Sequence, residues 1–432
     1  MRWAHSLVTN RTTGARHDGE PSGDQGGRCL ILVLHLRVEF GPEGSSVRVN
    51  RAGRATTEKP VSPSVSGMNA NITQSPDISA PVPGSHATGG GVRAADAASA
   101  PRYQVLDVLR GFAVCGILLV NIGDITELGM DVPVVVGQGP STTQNVLYYL
   151  VSTRFVPIFS LMFGMSLMFV ADSARRRGVP AWQVLLRRMA GLLAIGLLHT
   201  LVYPGEVLKI YAVVGAVMIP IVLRAPRRLV AVLGIVAAAA SYGLAGSSEL
   251  NVPGLFLLGA AAVAYGLPAF LERPDRRLVA VAVGLAALTG LAVFWQSRSD
   301  GGDPRFVSAG GIAGGVQAAL YVALVALACA TPLRRPLVAF LEPLGRTALS
   351  CYVGASCVVV PVGLLLGWRE STDLLPVLGV AAVVLAGQSL VARVWLRHFR
   401  YGPLEWAWRC LTWWKPQPMR RDGGQGLAAV QA

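Results

Sequence analysis

Long apolar segments alternate with short polar connections from residue 101 onward. A run of about 20 apolar residues is long enough to cross a bilayer as a helix. The pattern therefore predicts an all-α fold, a polytopic integral membrane helix bundle. Its ten expected spans are 105–125, 144–171, 184–203, 207–223, 229–246, 253–271, 278–296, 307–331, 345–366 and 374–398.

The composition changes at both ends of this apolar region. Residues 1–100 are rich in Gly, Ser, Pro, Thr and Arg and show little periodicity, which is typical of a disordered tail. Translation from Met68 is a second hypothesis for this part. The first eight helices are expected within 101–331. The last two helices and an interfacial segment follow within 332–415, and 416–432 is expected to be a disordered tail.

Charge and hydropathy give the same class of protein. Hydrophobic residues make up 52% of the chain, only 14% is charged, and the mean hydropathy is +0.49. Soluble domains carry about 25% charged residues. A net charge of +14 would suggest nucleic acid as the partner of a soluble chain. Here the basic residues cluster in short connections between apolar segments, so we expect a lipid bilayer and no nucleic acid as the partner.

Arginine distribution predicts the orientation. The second, fourth, sixth and eighth connections hold fourteen arginines, whereas the odd connections hold only Arg298, Arg305 and Arg369. Because positive residues are retained in the cytoplasm, the even connections and both termini are expected there.

The first helix carries polar residues inside an apolar sequence. At about 100° per residue, Asp107, Arg110 and Asn121 share one face. Such residues are costly toward lipid, so this stripe is expected to face the protein interior or a wet cavity. The alternative is that Asp107 and Arg110 form an ordinary interfacial pair and that Asn121 caps the far end.

Further polar residues are expected in the outer half of the membrane. Arg154 lies at the outer end of the second span, where it either snorkels to the interface or turns inward. His199 is the only histidine deep in the membrane region, and Tyr203 and Glu206 follow it. His199 is either bound to a backbone carbonyl or an acid/base group that works near neutral pH.

The cysteines and glycine runs predict packing. The six cysteines have neither CxxC nor metal-ligand spacing, so we expect small buried apolar residues and no metal site. The glycine run 310–315 has no strand–loop–helix context with Lys and Ser/Thr, which favours helix packing.

The most specific motif lies near the end of the chain, in the sequence YGPLEWAWRCLTWW at 401–414. Pro403 near the start, Glu405 in the first turn and the ring of Trp406 predict a short interfacial helix that anchors the inner leaflet. The alternative is that Glu405 and Arg409 brace the cytoplasmic mouth of a cavity.

The two ends of the apolar region carry a family resemblance. The first-helix pattern LDxLRGxxxxGIxxxN, the GPLEWxWRxLT pattern and the stretch EPLGRTALSCYV at 342–353 resemble the YeiB-like family of bacterial membrane proteins over 102–415. That family is similar to OafA-like sugar O-acyltransferases and to the heparan-α-glucosaminide N-acetyltransferase group. The resemblance implies a multi-pass protein of the bacterial cytoplasmic membrane.

The wider group shares an Arg, ten residues and then a polar residue in the first helix, here Arg110 and Asn121. The OafA-like branch has His at the second position. The N-acetyltransferase relatives carry a reactive His after the first helix, whereas the connection 123–143 of this chain has none.

The resemblance and the layering of polar residues together suggest transfer of an acyl group from cytoplasmic acyl-CoA, as co-substrate and not as bound cofactor. The acceptor would be an extracytoplasmic or lipid-linked glycan or small molecule. In this hypothesis His199 is the general base, Glu206 orients it, and Asn121 or Arg154 stabilises the oxyanion. The groups expected at the CoA phosphates are Arg110 and Arg346, with Asp107 beside them.

A transporter or channel for a small polar solute is the alternative, because intramembrane polar groups also line solute paths. A non-catalytic scaffold or sensor is a third possibility, although the chain has no recognisable soluble domain.

Overall fold

The computed structural model describes residues 102–133, 139–247, 249–299 and 303–421. Within them, regular structure is helical apart from one isolated antiparallel bridge between Phe399 and Arg420. The all-α fold class is therefore confirmed. The expectations for 1–100, including a start at Met68, and for 422–432 lie outside the described residues.

The described α-helices are numbered here in chain order. They are α1 (Gln104–Ile125), α2 (Thr142–Leu150), α3 (Phe155–Arg176), α4 (Ala181–His199), α5 (Leu208–Arg224), α6 (Arg227–Ala245), α7 (Asn251–Ala264), α8 (Leu267–Glu272), α9 (Arg276–Arg298), α10 (Ser308–Ala328), α11 (Arg334–Arg346), α12 (Ala348–Leu365), α13 (Leu374–His398) and α14 (Pro403–Trp413).

Eight helical segments are long and apolar enough to cross a membrane, and one of them joins α2 and α3. They correspond to eight of the ten expected spans. The other two are shorter: α5 has 17 residues and α7 has 14. At a rise of about 1.5 Å per residue these two fall short of a full crossing, so the count of ten stays a prediction.

Three expected spans are interrupted. The span 144–171 breaks before Arg154, where Thr153 has a φ of +67°. The span 253–271 breaks at Gly266, which adopts a φ of +77° before α8 begins. The span 345–366 breaks at Thr347, between α11 and α12.

Helix α1 lies in the middle of the bundle. It contacts α3, α10, α11, α12 and α13. Of the residues in its most apolar stretch, 61% are buried, against 11% in α9. The helix with the polar stripe is thus enclosed by protein, as its sequence predicted.

Two glycines bring α1 and α11 into backbone contact. A Cβ on Gly345 would lie 1.8 Å from the Asp107 carbonyl oxygen, and one on Gly111 would lie 2.0 Å from that of Leu341. Any side chain at either position would force the helices apart. The amphipathic helix α11, which we did not predict, is held in this way beside the start of α1.

We call the end of the bundle that contains Gln104, Arg176 and Ala181 the arginine-rich end, and the end that contains Ile125 and His199 the opposite end. After α14 the chain turns back at the arginine-rich end. There the Arg421 N–H donates to the His398 carbonyl at 3.0 Å, so local order continues past the expected boundary at 415.

Candidate functional site

The structure brings the expected phosphate-binding residues together at the arginine-rich end. Asp107 lies 2.8 Å from Arg102 and 3.3 Å from Arg110. Glu342 of α11 lies 2.6 Å from Arg102 and 3.6 Å from Arg346. The Asp107–Arg110 ion pair of our alternative hypothesis is therefore present, although Asn121 does not cap the helix, and the pair belongs to a network that joins α1 to α11.

Three arginines share two carboxylates in this network. Burial and the charge of Arg102 lower the pKa of Arg346, despite the attraction of Glu342. The Arg110 guanidinium also donates to the Gly345 carbonyl at 3.4 Å. Arg110 and Arg346 thus have protein partners, and the network keeps an excess positive charge.

Arg188 of α4 is a feature that sequence reasoning missed. Its guanidinium carbon lies 3.6 Å from the centre of the Trp408 ring, and its Nη2 donates to Ser166 Oγ at 3.1 Å. In return, the Trp408 indole donates to the Arg188 carbonyl at 2.7 Å. The Arg188 Nε is buried and has no hydrogen-bond partner among the described residues.

Arg188 lies within electrostatic range of two other cations, Arg409 and Arg110. The Arg409 guanidinium lies 4.7 Å from the Tyr401 ring centre, and its buried Nε also lacks a partner in the described part of the chain. We call Arg110, Arg188 and Arg409 the arginine cluster. In the sequence, Arg188 was one of the arginines that the positive-inside pattern explained. Its position therefore did not indicate a further role.

Glu405 has a role that the sequence did not predict. Its carboxylate accepts from the Leu349 N–H at 2.6 Å, from the Ser350 N–H at 3.0 Å and from the Ser350 hydroxyl at 2.5 Å. These are the first amides of α12, so Glu405 caps that helix. The alternative of a Glu405–Arg409 brace is not formed, because all three contacts of the carboxylate go to α12.

The rest of the GPLEW motif supports this cap. A Cβ on Gly402 would lie 2.1 Å from a Glu405 carboxylate oxygen, so only glycine leaves room for it. The half-buried Trp406 donates its indole N–H to the Gln417 carbonyl at 2.9 Å. The motif thus fixes α14 against α12 and against the chain that follows.

Asn121 lines a small internal cavity of about 10 Å³, together with Tyr352, Ser356 and Gln388. That volume is close to the space of one water molecule. Three buried side-chain atoms at this cavity have no hydrogen-bond partner among the described residues: the hydroxyls of Tyr352 and Ser356 and the side-chain amide oxygen of Gln388. Asn121 thus faces a chamber inside the bundle that holds about one water molecule and has a few polar groups among mostly apolar walls, whereas Asp107 and Arg110 do not line it.

His199 lies beside this chamber. Its ring is only 2% exposed and stands edge-on to Tyr352, with 5.2 Å between ring centres, and to Tyr203 at 6.2 Å. Both ring nitrogens are buried without a partner in the described part of the chain. The alternative of a backbone-bound histidine is thus not what the structure shows. Burial also raises the pKa of Tyr203 to about 12, so its phenol stays protonated.

Glu206 does not orient His199, contrary to our expectation. Its carboxylate accepts from the Leu208 N–H at 2.7 Å and from the Lys209 N–H at 3.2 Å, and it lies 3.7 Å from the Lys209 ammonium. It therefore caps α5. An acid just before an apolar helix is a signal for such a cap, and we gave it too little weight.

Arg154 turns inward, as one of our two hypotheses held, and it is fully buried. Its Nε donates to Gln317 and its Nη2 to Gln296, both at 3.0 Å. Its Nη1 donates to the Ser152 carbonyl at 2.6 Å and to the Thr153 hydroxyl at 2.9 Å. The left-handed backbone of Thr153 is strained for a β-branched residue, and this turn places Arg154 against α9 and α10.

The predicted catalytic set is only partly assembled. His199 and Asn121 both neighbour Tyr352, whereas Glu206 and Arg154 have other partners. The His199 imidazole and the chamber at Asn121 therefore lie side by side inside the bundle, with the arginine cluster at one end of it.

Three relatives resemble this chain over most of its length. An uncharacterized 39.9 kDa protein in the amylase 3′ region of Bacillus acidopullulyticus is 28% identical over an alignment of 338 residues, which covers 74% of this chain and 96% of that protein. The uncharacterized protein YxaH of Bacillus subtilis (strain 168) is 24% identical over 74% of this chain and 96% of that protein. The uncharacterized protein YeiB of Escherichia coli (strain K12) is 26% identical over 72% of this chain and 96% of that protein.

A family model described as a protein of unknown function (DUF418) matches residues 268–415. This range contains α11, α12 and the GPLEW helix α14, whose contacts with α1 and α4 hold the arginine-rich end together. The apolar helices make the chain a membrane protein. It is similar to the YeiB-like family over most of its length, in line with the motifs at the two ends of its apolar region.

Proposed function

We propose that this chain transfers an acyl group from cytoplasmic acyl-CoA to an acceptor that enters from the other face of the bacterial cytoplasmic membrane. The observation that carries the proposal is the arginine cluster. Arg110, Arg188 and Arg409 come from α1, α4 and α14, and Arg188 lies within electrostatic range of each of the other two. The orientation predicted from loop charge puts this end in the cytoplasm.

In the described ranges only Arg110 of these three arginines is paired with a carboxylate, that of Asp107. Because like charges repel each other, the cluster is costly unless an anion binds there. Two of its buried N–H groups, on Arg188 and Arg409, have no acceptor among the described residues. Guanidinium groups pair with phosphate oxygens by two parallel hydrogen bonds. The phosphates of CoA are a suitable anion, and the phosphates of a lipid headgroup share that chemistry.

His199 supplies the base in this proposal. One unpartnered ring nitrogen takes the proton of the acceptor hydroxyl or amine as that group attacks the thioester carbonyl. The carbon–sulfur bond then breaks, and the CoA thiolate leaves and takes up a proton. Asn121 and Tyr352 have polar groups at the chamber beside His199, where they are placed to donate to the oxyanion.

The test is the transfer of radiolabel from acetyl-CoA, supplied on the cytoplasmic face, to the membrane fraction of vesicles that contain the full chain. His199→Phe keeps the ring's shape and removes the base, so transfer should fall about 100-fold or more. Leu198→Ala changes an exposed neighbour, 68% accessible, and is the matched control. Equal transfer by wild type and His199→Phe would rule out this role of His199.

Transport of a small polar solute is the second candidate function. The chamber beside Asn121 favours it, because unpaired polar groups within the bundle also suit a solute path. Transport predicts solute flux into proteoliposomes that contain no CoA. Acyl transfer predicts release of CoA that depends on an acceptor.

A further inference from the structure

A second, larger cavity lies at the opposite end of the bundle and has no part in the mechanism above. Its volume is about 330 Å³, which is at the lower end of the usual range for small-molecule sites. Helices α1, α2 and α9 and the connection after residue 303 form its walls. Tyr148, Gln296, Asp124 and Arg305 are among the lining residues.

Gln296 is the first sign that this cavity takes a ligand. The residue is only 4% exposed, and its side-chain oxygen accepts a hydrogen bond from Arg154 at 3.0 Å. The other arm of the amide, Nε2, is buried beside the Tyr148 phenol but makes no hydrogen bond of good geometry to any described residue. A buried donor without an acceptor costs about 1–3 kcal/mol, so a ligand oxygen at this position would remove that cost.

Arg154 makes this position favourable for an anion. The five acceptors that surround its guanidinium are the Gln296 and Gln317 side chains, the Thr153 hydroxyl and two backbone carbonyls. All of them are neutral, so no carboxylate in the described ranges compensates its charge. An uncompensated buried cation attracts a negative group far more strongly than an exposed one does.

Asp124 gives the cavity an opposite pole. It lies at the end of α1, and its side chain is 43% exposed. Its partner Arg305 is 3.3 Å away and is held more closely by Asp303, at 2.6 Å. Hydrogen bonding to Asp303 raises the pKa of Arg305, so this arginine stays charged. Its charge is already paired with the Asp303 carboxylate. Asp124 therefore keeps carboxylate capacity for another cation.

We propose that this cavity binds a small zwitterion. Its carboxylate would lie at the Gln296 amide, in the field of Arg154, and its ammonium group would lie at Asp124. The charges match this class of ligand, because Arg154 and Arg305 balance Asp124 and Asp303. The ring of Tyr148 adds an aromatic wall of the kind that ammonium groups prefer. The proposal concerns binding alone and holds whether the bound solute is acylated, transported or neither.

The experiment is calorimetric titration of the purified full chain in detergent with ω-amino acids of increasing length, from glycine to 6-aminohexanoate. Acetate and methylamine, which carry one charge each, and glycerol, which carries none, are the comparison probes. At least one ω-amino acid should bind at least tenfold more tightly than any comparison probe. Acetate binding as tightly as every amino acid, tightest binding of glycerol, or no binding at all would each overturn the proposal.

Two variants separate the poles. Gln296→Glu keeps an acceptor for Arg154 but replaces the free donor by a carboxylate, so zwitterion binding should fall at least tenfold while the melting temperature stays unchanged or rises. Asp124→Asn should weaken binding of the zwitterion at least tenfold and leave the binding of acetate unchanged. Ser297→Ala is the control, because the Ser297 hydroxyl lines the cavity but donates to the Phe294 carbonyl at 2.7 Å. A folded Gln296→Glu protein that binds the zwitterion as wild type does would also refute the assignment.

Discussion

Replacement of Glu405 by alanine is expected to destabilise the bundle by about 3–5 kcal/mol, through the loss of a helix cap that reaches across the structure. Glu405 belongs to α14, yet it accepts three hydrogen bonds at the start of α12, two from backbone amides and one from the Ser350 hydroxyl. In the part of the chain that the structure describes, these donors have no other acceptor at the helix end.

The magnitude follows from these three contacts. A buried donor left unpaired costs about 1–3 kcal/mol. We assign about 1–1.5 kcal/mol to each of the three donors, because the site is only partly closed to water. The loss of the negative charge adds nothing to this cost, because burial raises the pKa of Glu405 and so disfavours the charged form in the folded protein. Glu405→Gln keeps one acceptor oxygen and should cost only about 1–2 kcal/mol.

The assay is unfolding of the purified full chain in mixed micelles, followed by circular dichroism. Lys415→Ala is the matched control, since Lys415 is an exposed residue close to the end of the same helix. The order of stability should be Lys415→Ala, then Glu405→Gln, then Glu405→Ala. If Glu405→Ala unfolds within about 0.5 kcal/mol of the control, the cap does not contribute as the structure indicates.

Three further outcomes follow from single contacts. Gly345→Ala should lower stability by about 1–3 kcal/mol, because its Cβ would overlap the Asp107 carbonyl, whereas Gly387→Ala, with nothing within 4 Å, should not. Burial raises the pKa of Glu405 above its ordinary value of 4.5. The contribution of this group to stability is therefore complete below pH 4.5 and is lost as pH rises through the folded-state pKa. Wild type should gain stability relative to Glu405→Gln when unfolding is measured at pH 5 instead of pH 7. Arg369→Ala should cost less than about 1 kcal/mol in the same assay, because its ion pairs with Glu127 and Asp131 are exposed.

The sequence predicted the fold class and the enclosure of α1 because both depend on hydropathy along the chain. A stripe that includes Arg110 and Asn121 cannot face lipid, so its direction was determined by a local pattern. The span boundaries were less certain. Single residues such as Thr153 and Gly266 divide apolar runs that hydropathy reads as continuous.

The partners of the polar residues were harder to predict, since they depend on contacts between distant parts of the chain. Arg154 is bound by Gln296 and Gln317, 142 and 163 residues away. Glu405 caps a helix that begins more than fifty residues earlier. Neither contact has a local signal, whereas the cap formed by Glu206 does, two residues before α5 begins.

The most direct test of the proposed donor site is the affinity of the purified chain for CoA, 3′-dephospho-CoA and pantetheine, measured in wild type and in Arg409→Ala. Affinity should decrease in that order as phosphates are removed, and Arg409→Ala should bind CoA about tenfold more weakly, equivalent to about 1.4 kcal/mol, with no change for pantetheine. Equal affinity for the three compounds, or CoA binding that Arg409→Ala leaves unchanged, would contradict acyl-CoA binding at the arginine cluster.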